Sequence, residues 1–207
     1  MIEQPGLRER KKQQTRETIA RAAHELFARQ GYGATTLQEI ADAADVSTRT
    51  IFAYFPSKED ILFSDFPLMR TALAQALADR PEGEEALETM RTFILSTVGQ
   101  KRSDLDEDLD RCIHGDETLR THLRARIADL QEVITPEIAK DLGLPATDIE
   151  PQIVGAALTA AFTVLSDQRG NEHKEPKTLD AVAAAIDPVF AFLRGGLAAL
   201  KEPGRGF

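Results

Sequence analysis

Thr48, Arg49, Thr50 and Tyr54 lie within seven residues of one another, and their types suit contact with a nucleic acid. An Arg guanidinium can pair with two acceptors on guanine, and a Thr offers either a methyl group or a hydroxyl to a base edge. They are interleaved with Ile51, Phe52 and Phe55, which form an apolar side, while Val46 stands in the turn before them. The spacing predicts a short two-faced helix from Thr48 to Phe55, ended by Pro56. Any amphipathic surface helix has a polar face, so this segment alone fits an ordinary solvated role as well.

The elements around it narrow the reading. Arg10 to Gln30 has Ile19, Ala23, Leu26 and Phe27 at helical spacing, with Gly31 and Gly33 after it. Thr36-Leu37-Gln38-Glu39 has the capping-box pattern and opens a second helix with Leu37, Ile40, Ala41 and Ala44 on one side. Asp45-Val46-Ser47 reads as a turn with polar capping chemistry. After Pro56, Ser57-Lys58-Glu59-Asp60 caps a fourth helix running towards Ala78, with a bend expected at Pro67. Long helix, short helix, tight turn, short helix is the order of a helix-turn-helix. In that motif the second short helix enters the major groove.

Charge is divided unevenly. The formal net charge is −9. Residues 1–60 hold nine Lys/Arg and nine Asp/Glu, and residues 61–207 hold sixteen against twenty-five. A basic stretch, Arg8, Arg10, Lys11, Lys12 and Arg16 against Glu9, leads into the neutral segment. An anionic partner is therefore expected there rather than on the acidic remainder, although a solvated basic tail has the same composition.

Hydrophobic residues make up 42% of the chain and aromatics 6%, without Trp, which favours packed helices over sheets. The single Cys112 excludes an intrachain disulfide and a Cys-cluster metal site, as expected for a reducing cytoplasm. The first residues lack a signal-peptide apolar core. The longest apolar stretch, Ile153 to Leu165, is about thirteen residues, against the roughly twenty needed to span a bilayer. A soluble protein without a membrane association is expected.

Further helices are predicted near 84–100, 104–114, 117–142, 148–168 and 178–200, with a polar loop from Arg169 to Lys177. The expected fold class is all-α, with about nine helices.

Together, residues 16–62 closely resemble the DNA-binding domain of the TetR family of regulators. The resemblance rests on the Ala-x-x-Leu-Phe run ending at Phe27, Gly31-Tyr32-Gly33-Ala34-Thr35-Thr36, Ile40-Ala41, and Val46-Ser47. It continues through Thr50-Ile51-Phe52-Ala53-Tyr54-Phe55 and Ser57-Lys58-Glu59.

The resemblance implies that Thr36 meets a phosphate while capping the second helix, with Gln38 on that helix's exposed edge. Thr48, Arg49 and Thr50 would begin base reading. Tyr54 would meet the DNA backbone, and Lys58 a phosphate. Arg8, Lys11 and Lys12 precede the motif and are expected to act as a flexible arm on phosphates or in a minor groove. Two departures stand out. Asp45 occupies a turn position that is usually Gly and would be left-handed there. Phe52 replaces a frequent Tyr and, without the hydroxyl, is expected to serve packing only.

The expected organisation is a helix-turn-helix DNA-binding domain over 7–62 and a helical ligand-binding and dimerisation domain over 63–203. Ile153–Phe162 is apolar almost all round. The final helix carries Val182, Ile186, Val189, Phe190, Phe192, Leu193 and Leu197, more apolar surface than one contact needs. A homodimer through the last two helices is expected, with an intramolecular core as the alternative. A small hydrophobic or amphipathic effector is expected among Arg91, Phe93, Leu95, Cys112, His114, Leu123, Ile127, Phe162 and Leu165, any of which also suits ordinary core.

No cofactor, metal or catalytic centre is expected. Asp104–Asp110 resembles a calcium loop, but Leu109 replaces the required Gly and Gly115 stands where the bidentate Glu belongs. His24, His114, His122 and His173 lack metal-ligand spacing. There is no phosphate-binding Gly loop, nucleophile elbow or HExxH. The expectation is a ligand-released repressor on pseudo-palindromic operator DNA. An activator or a ligand-independent DNA-binding protein of the same fold is the alternative.

Overall fold

The computed structural model describes residues 6–99, 103–171 and 179–201. The described residues form eleven helices and no strand: α1 (Leu7–Gln30), α2 (Leu37–Ala43), α3 (Thr48–Tyr54), α4 (Lys58–Leu62), α5 (Phe66–Ala78), α6 (Ala86–Gly99), α7 (Asp104–Gly115), α8 (Glu117–Asp129), α9 (Gln131–Leu142), α10 (Ile149–Asn171) and α11 (Leu179–Lys201). The all-α expectation is met with two more helices than the spacing suggested. The expected helix from Lys58 breaks over Phe63–Asp65, so that Pro67 falls in the first turn of α5, where its missing N–H costs nothing. The expected 117–142 helix is interrupted at Leu130. The expected loop around His173 lies largely outside the described residues.

The chain forms two compact units. The first contains α1–α4, α7 and the start of α8, up to Asp65 and from Arg102 to Leu119. The second contains α5, α6, the rest of α8, and α9–α11. This corrects the division at residue 62. The first unit extends to Asp65, and α7, assigned by sequence to the acidic body, packs along α1 instead.

In the first unit, the apolar positions read from the sequence are turned away from solvent. Ile19, Ala23, Leu26 and Phe27 of α1 and Ile40, Ala41, Ile51 and Phe55 of the following elements are all nearly or fully buried. Each of the large side chains contributes about 1.5–3 kcal/mol by leaving water. Gly31 ends α1 at φ 84°, ψ 154°, a conformation open only to Gly, and its N–H closes on Phe27 O.

The second unit packs Leu77, Leu87 and Met90 against Ile134, Leu158, Ile186 and Phe190. At the α9–α10 crossing, a Cβ on Gly155 would run into Thr135 Oγ1, so any larger residue there forces the Thr135 side chain to shift. Arg80, at the end of α5, donates to Leu77 O, Glu84 O, Glu137 and Asp141 Oδ1, and Asp141 also accepts the Ala86 N–H at 2.7 Å. One guanidinium thus ties α5 to α9 beside the start of α6.

By length and composition alone, α10 over Ile149–Asp167 and α11 over Leu179–Lys201 could cross a membrane, contrary to the sequence estimate from the shorter apolar run. Both helices nevertheless supply core residues, and both carry charges paired within the unit: Arg124–Asp167, Arg91–Asp187, Arg194–Glu88 and Lys201–Glu85.

Candidate nucleic-acid interface and effector cavity

Two capped turns position α3. The Thr36 hydroxyl accepts Glu39 N–H at 3.2 Å, while the Glu39 carboxylate accepts both the N–H and the hydroxyl of Thr36, completing the predicted capping box. These hydrogen bonds from Thr36 hold the Glu39 carboxyl below the usual carboxylate range. Asp45 in the following turn has φ 54°, the left-handed conformation expected where Gly is usual. Ser47 caps α3 by accepting Thr50 N–H at 3.0 Å. At the other end, Arg16 donates to Tyr54 O at 2.9 Å, and its guanidinium lies 4.2 Å from the centre of the Phe55 ring. This Arg, read from the sequence as part of a basic stretch, is a brace for the end of α3.

These supports redistribute the expected roles. Arg49 is exposed and, among the described residues, forms no hydrogen bond or ion pair. Thr48 and Tyr54 are half-buried. The Thr50 hydroxyl is 2.8 Å from Ser47 Oγ, so it serves the cap before any base. Phe52 is 55% exposed, which corrects its assignment to packing. Only Ile51 of α3 is fully inward, joined by Phe55 just beyond the helix. Ile51 and Phe52 differ by one residue, or 100° of rotation, enough to place them on different faces.

On α2, exposed Gln38 donates to Asp42 Oδ1 at 2.8 Å. Lys58 is turned inward, contrary to the expected free phosphate contact. Its ammonium donates to Tyr32 O at 2.8 Å and Thr35 O at 2.9 Å, and stands 4.0 Å from the Tyr32 ring centre. Two of its three N–H groups are spent on the link between α1 and α2. Burial and the neighbouring Glu59 push the Tyr32 phenol far up, keeping it neutral beside that ammonium. Arg8, Lys11 and Lys12 are exposed on the first turns of α1, so the expected flexible arm is helical from Leu7 onward. His24 Nε2 lies 3.0 Å from Ile61 O and 3.1 Å from Leu62 O, joining α1 to the end of α4.

The second unit contains a cavity of about 230 Å³ among α5, α6, α10 and α11, with Leu130 contributing from the α8–α9 junction. Phe93, Phe162 and Leu165, singled out by sequence, line it. Met69, Met90, Val182 and Ile186 complete most of the apolar wall, and Thr97 and Ser166 are its polar side chains.

The other expected lining residues lie elsewhere. Arg91 pairs with Asp187 at 2.7 Å, Ile127 is buried, and Leu123 is not on the wall. Leu95 packs against the core without lining the cavity. Cys112 and His114 are on α7 in the first unit, where burial pushes the Cys112 thiol up. The missed residues Met69 and Leu73 come from a helix whose apolar periodicity was visible but whose partner face was not.

The exposed sides of α10 and α11 are also apolar. Ile149, Ile153, Ala156, Ala160 and Val164 run along α10; Ala184, Pro188, Phe192 and Gly195 lie exposed along α11. Asp104–Asp110 forms α7 behind a Ser103 capping box, a helix rather than a calcium loop. Among the described residues no His, Cys, Asp and Glu group has the arrangement of a metal site.

Comparison with known proteins gives one answer for both units. Residues 19–64 match the model of bacterial regulatory proteins of the tetR family, and residues 67–198 match the MftR C-terminal domain. TcmR of Streptomyces glaucescens, an HTH-type transcriptional regulator, is 39% identical over 110 residues, covering 53% of this chain and 49% of its own. MftR of Mycobacterium tuberculosis, named for mycofactocin biosynthesis, is 30% identical over 192 residues, covering 89% of this chain and 93% of its own. The solved structure of Thermus thermophilus FadR, a transcriptional repressor in complex with lauroyl-CoA, is 25% identical with a TM-score of 0.57. It covers 93% of this chain and 100% of that one.

Proposed function

The chain belongs to the TetR family of bacterial transcription regulators, and from that premise we propose that it is an effector-released repressor acting as a cytoplasmic homodimer. Arg49 reads a guanine at the exposed face of α3. Thr48, Tyr54, Gln38, Thr36 and the α1 residues Arg8, Lys11 and Lys12 supply contacts around it, mainly to phosphates. The observation that carries the DNA half is the unpartnered Arg49 on a helix capped at one end by Ser47 and braced at the other by Arg16.

The apolar stripes on α10 and α11 support the dimer. Paired about a two-fold axis they bury one another, and two α3 helices then address a pseudo-palindrome. The effector reading rests on a cavity whose wall offers no charged side chain. An apolar or amphipathic molecule fits such a wall, its polar end meeting Thr97 or Ser166. Binding lowers operator affinity by the effector's differential affinity for the two states of the dimer. FadR's lauroyl-CoA supplies the first probe to try.

Gel shift on DNA selected from a random pool, repeated across salt, tests the reading. The protein is expected to bind a two-fold site with steep salt dependence, and Arg49→Ala to lose operator choice. Ile153→Glu with Phe192→Glu is expected to give a monomer in sedimentation. Equal loss on operator and random DNA for Arg49→Ala removes it from base readout. If an effector fills the cavity and operator affinity stays unchanged, the switching half fails.

A further inference from the structure

Phe52 is the residue whose surroundings differ most from its sequence reading. It lies in the middle of α3 with 55% of its surface exposed, while Ile51 beside it is fully buried. Along α3 it sits three residues after Arg49 and four after Thr48, so all three share one side of the helix. Ala53, exposed next to it, leaves room around the ring. The helix is short and held at both ends by the Ser47 cap and the Arg16 brace, which fix the backbone from which this side chain projects.

A phenyl ring has no hydrogen-bonding group and cannot bond a phosphate or a polar base edge. In the major groove the base feature complementary to an apolar side chain is the C5-methyl group of thymine. We propose that Phe52 is a specificity-determining residue that packs its ring on a thymine C5-methyl in each half-site. The proposal rests on the DNA-reading role of α3. It assigns the residue a contact that the more usual Tyr hydroxyl would direct elsewhere. The exposed ring, a cost in free solution, is covered only on the correct sequence.

The test uses the full-length protein and its selected operator, with each thymine replaced in turn by deoxyuridine, which removes the methyl and leaves every hydrogen-bonding group. Wild type is expected to weaken about fourfold per half-site at one position, the worth of one buried methyl. Phe52→Ala is expected to bind thymine and deoxyuridine equally there, with an unchanged thermal midpoint. Phe52→Leu, which keeps an apolar side chain, should retain part of the discrimination and guards against a folding defect in the Ala variant. Equal sensitivity of wild type and Phe52→Ala assigns the methyl to another residue and overturns the proposal. So does the absence of any sensitive thymine. Failure of wild type to select DNA at all instead overturns the DNA-reading role of α3 itself.

Discussion

Asp45 and Lys58 show how single residues shape the candidate interface. Asp45 holds φ 54° where an L side chain pays about 1–2 kcal/mol. Asp45→Gly relieves this but gains freedom in the unfolded chain, so a net stabilisation of about 0.5 kcal/mol is expected in chemical denaturation. Asp45→Val should lose about 1 kcal/mol or more. The Lys58 ammonium is turned into the first unit. Lys58→Ala removes two charge-assisted hydrogen bonds to the link before α2, for an expected loss of about 2 kcal/mol. Its DNA affinity should fall with the slope of log affinity against log salt unchanged. A phosphate contact would instead reduce that slope by about one, so the slope decides between the two roles.

At the scale of elements, the second unit is held by a polar junction at Arg80 as well as by its apolar core. Arg80 has 12% of its side chain exposed, and its partners Glu137 and Asp141 have 13% and 8%. Arg80→Ala would leave two nearly buried carboxylates with one partner each, Lys140 for Glu137 and the Ala86 N–H for Asp141, and the carbonyls of Leu77 and Glu84 without this donor. A loss of about 2–3 kcal/mol is expected, read as a lowered unfolding midpoint of the purified chain. A loss below about 1 kcal/mol would show that water replaces the guanidinium at little cost. The sequence revealed the charges at 80, 137 and 141. It could not reveal that residues 57 and 61 apart converge on one cation.

For the whole molecule, the lowered carboxylates set the response to acid. Burial alone would raise Glu137, but hydrogen bonds from Lys140 and Arg80 hold it below its usual value. Arg91 does the same for Asp187 through a hydrogen bond. A carboxylate lowered on folding contributes stability that is fully present above its unfolded value, about 4. That contribution is lost as pH falls through the lower folded value. Unfolding followed by circular dichroism should therefore show a flat plateau near neutrality and a decline below about pH 4. Glu137→Gln should make that decline shallower. An unchanged slope would mean that the Glu137 pairs add nothing net.

Local chemistry was legible in the sequence. The capping box at Thr36–Glu39, the left-handed Asp45, the stop at Gly31 and the core positions Ile19, Ala23, Leu26 and Phe27 depend on neighbours within a few residues. Such neighbours are printed in the chain itself. The all-α class followed for the same reason, and the helix-turn-helix motif is dense enough to name the family. What depends on distant segments was decided by the tertiary structure. It placed α7 on α1 and took Cys112 and His114 out of the effector wall. It turned Lys58 inward and Phe52 outward, and it brought Met69 beside Phe93 and Leu165. Helical periodicity says that a residue has an apolar side, but only packing says which neighbour meets it and which side is left for DNA.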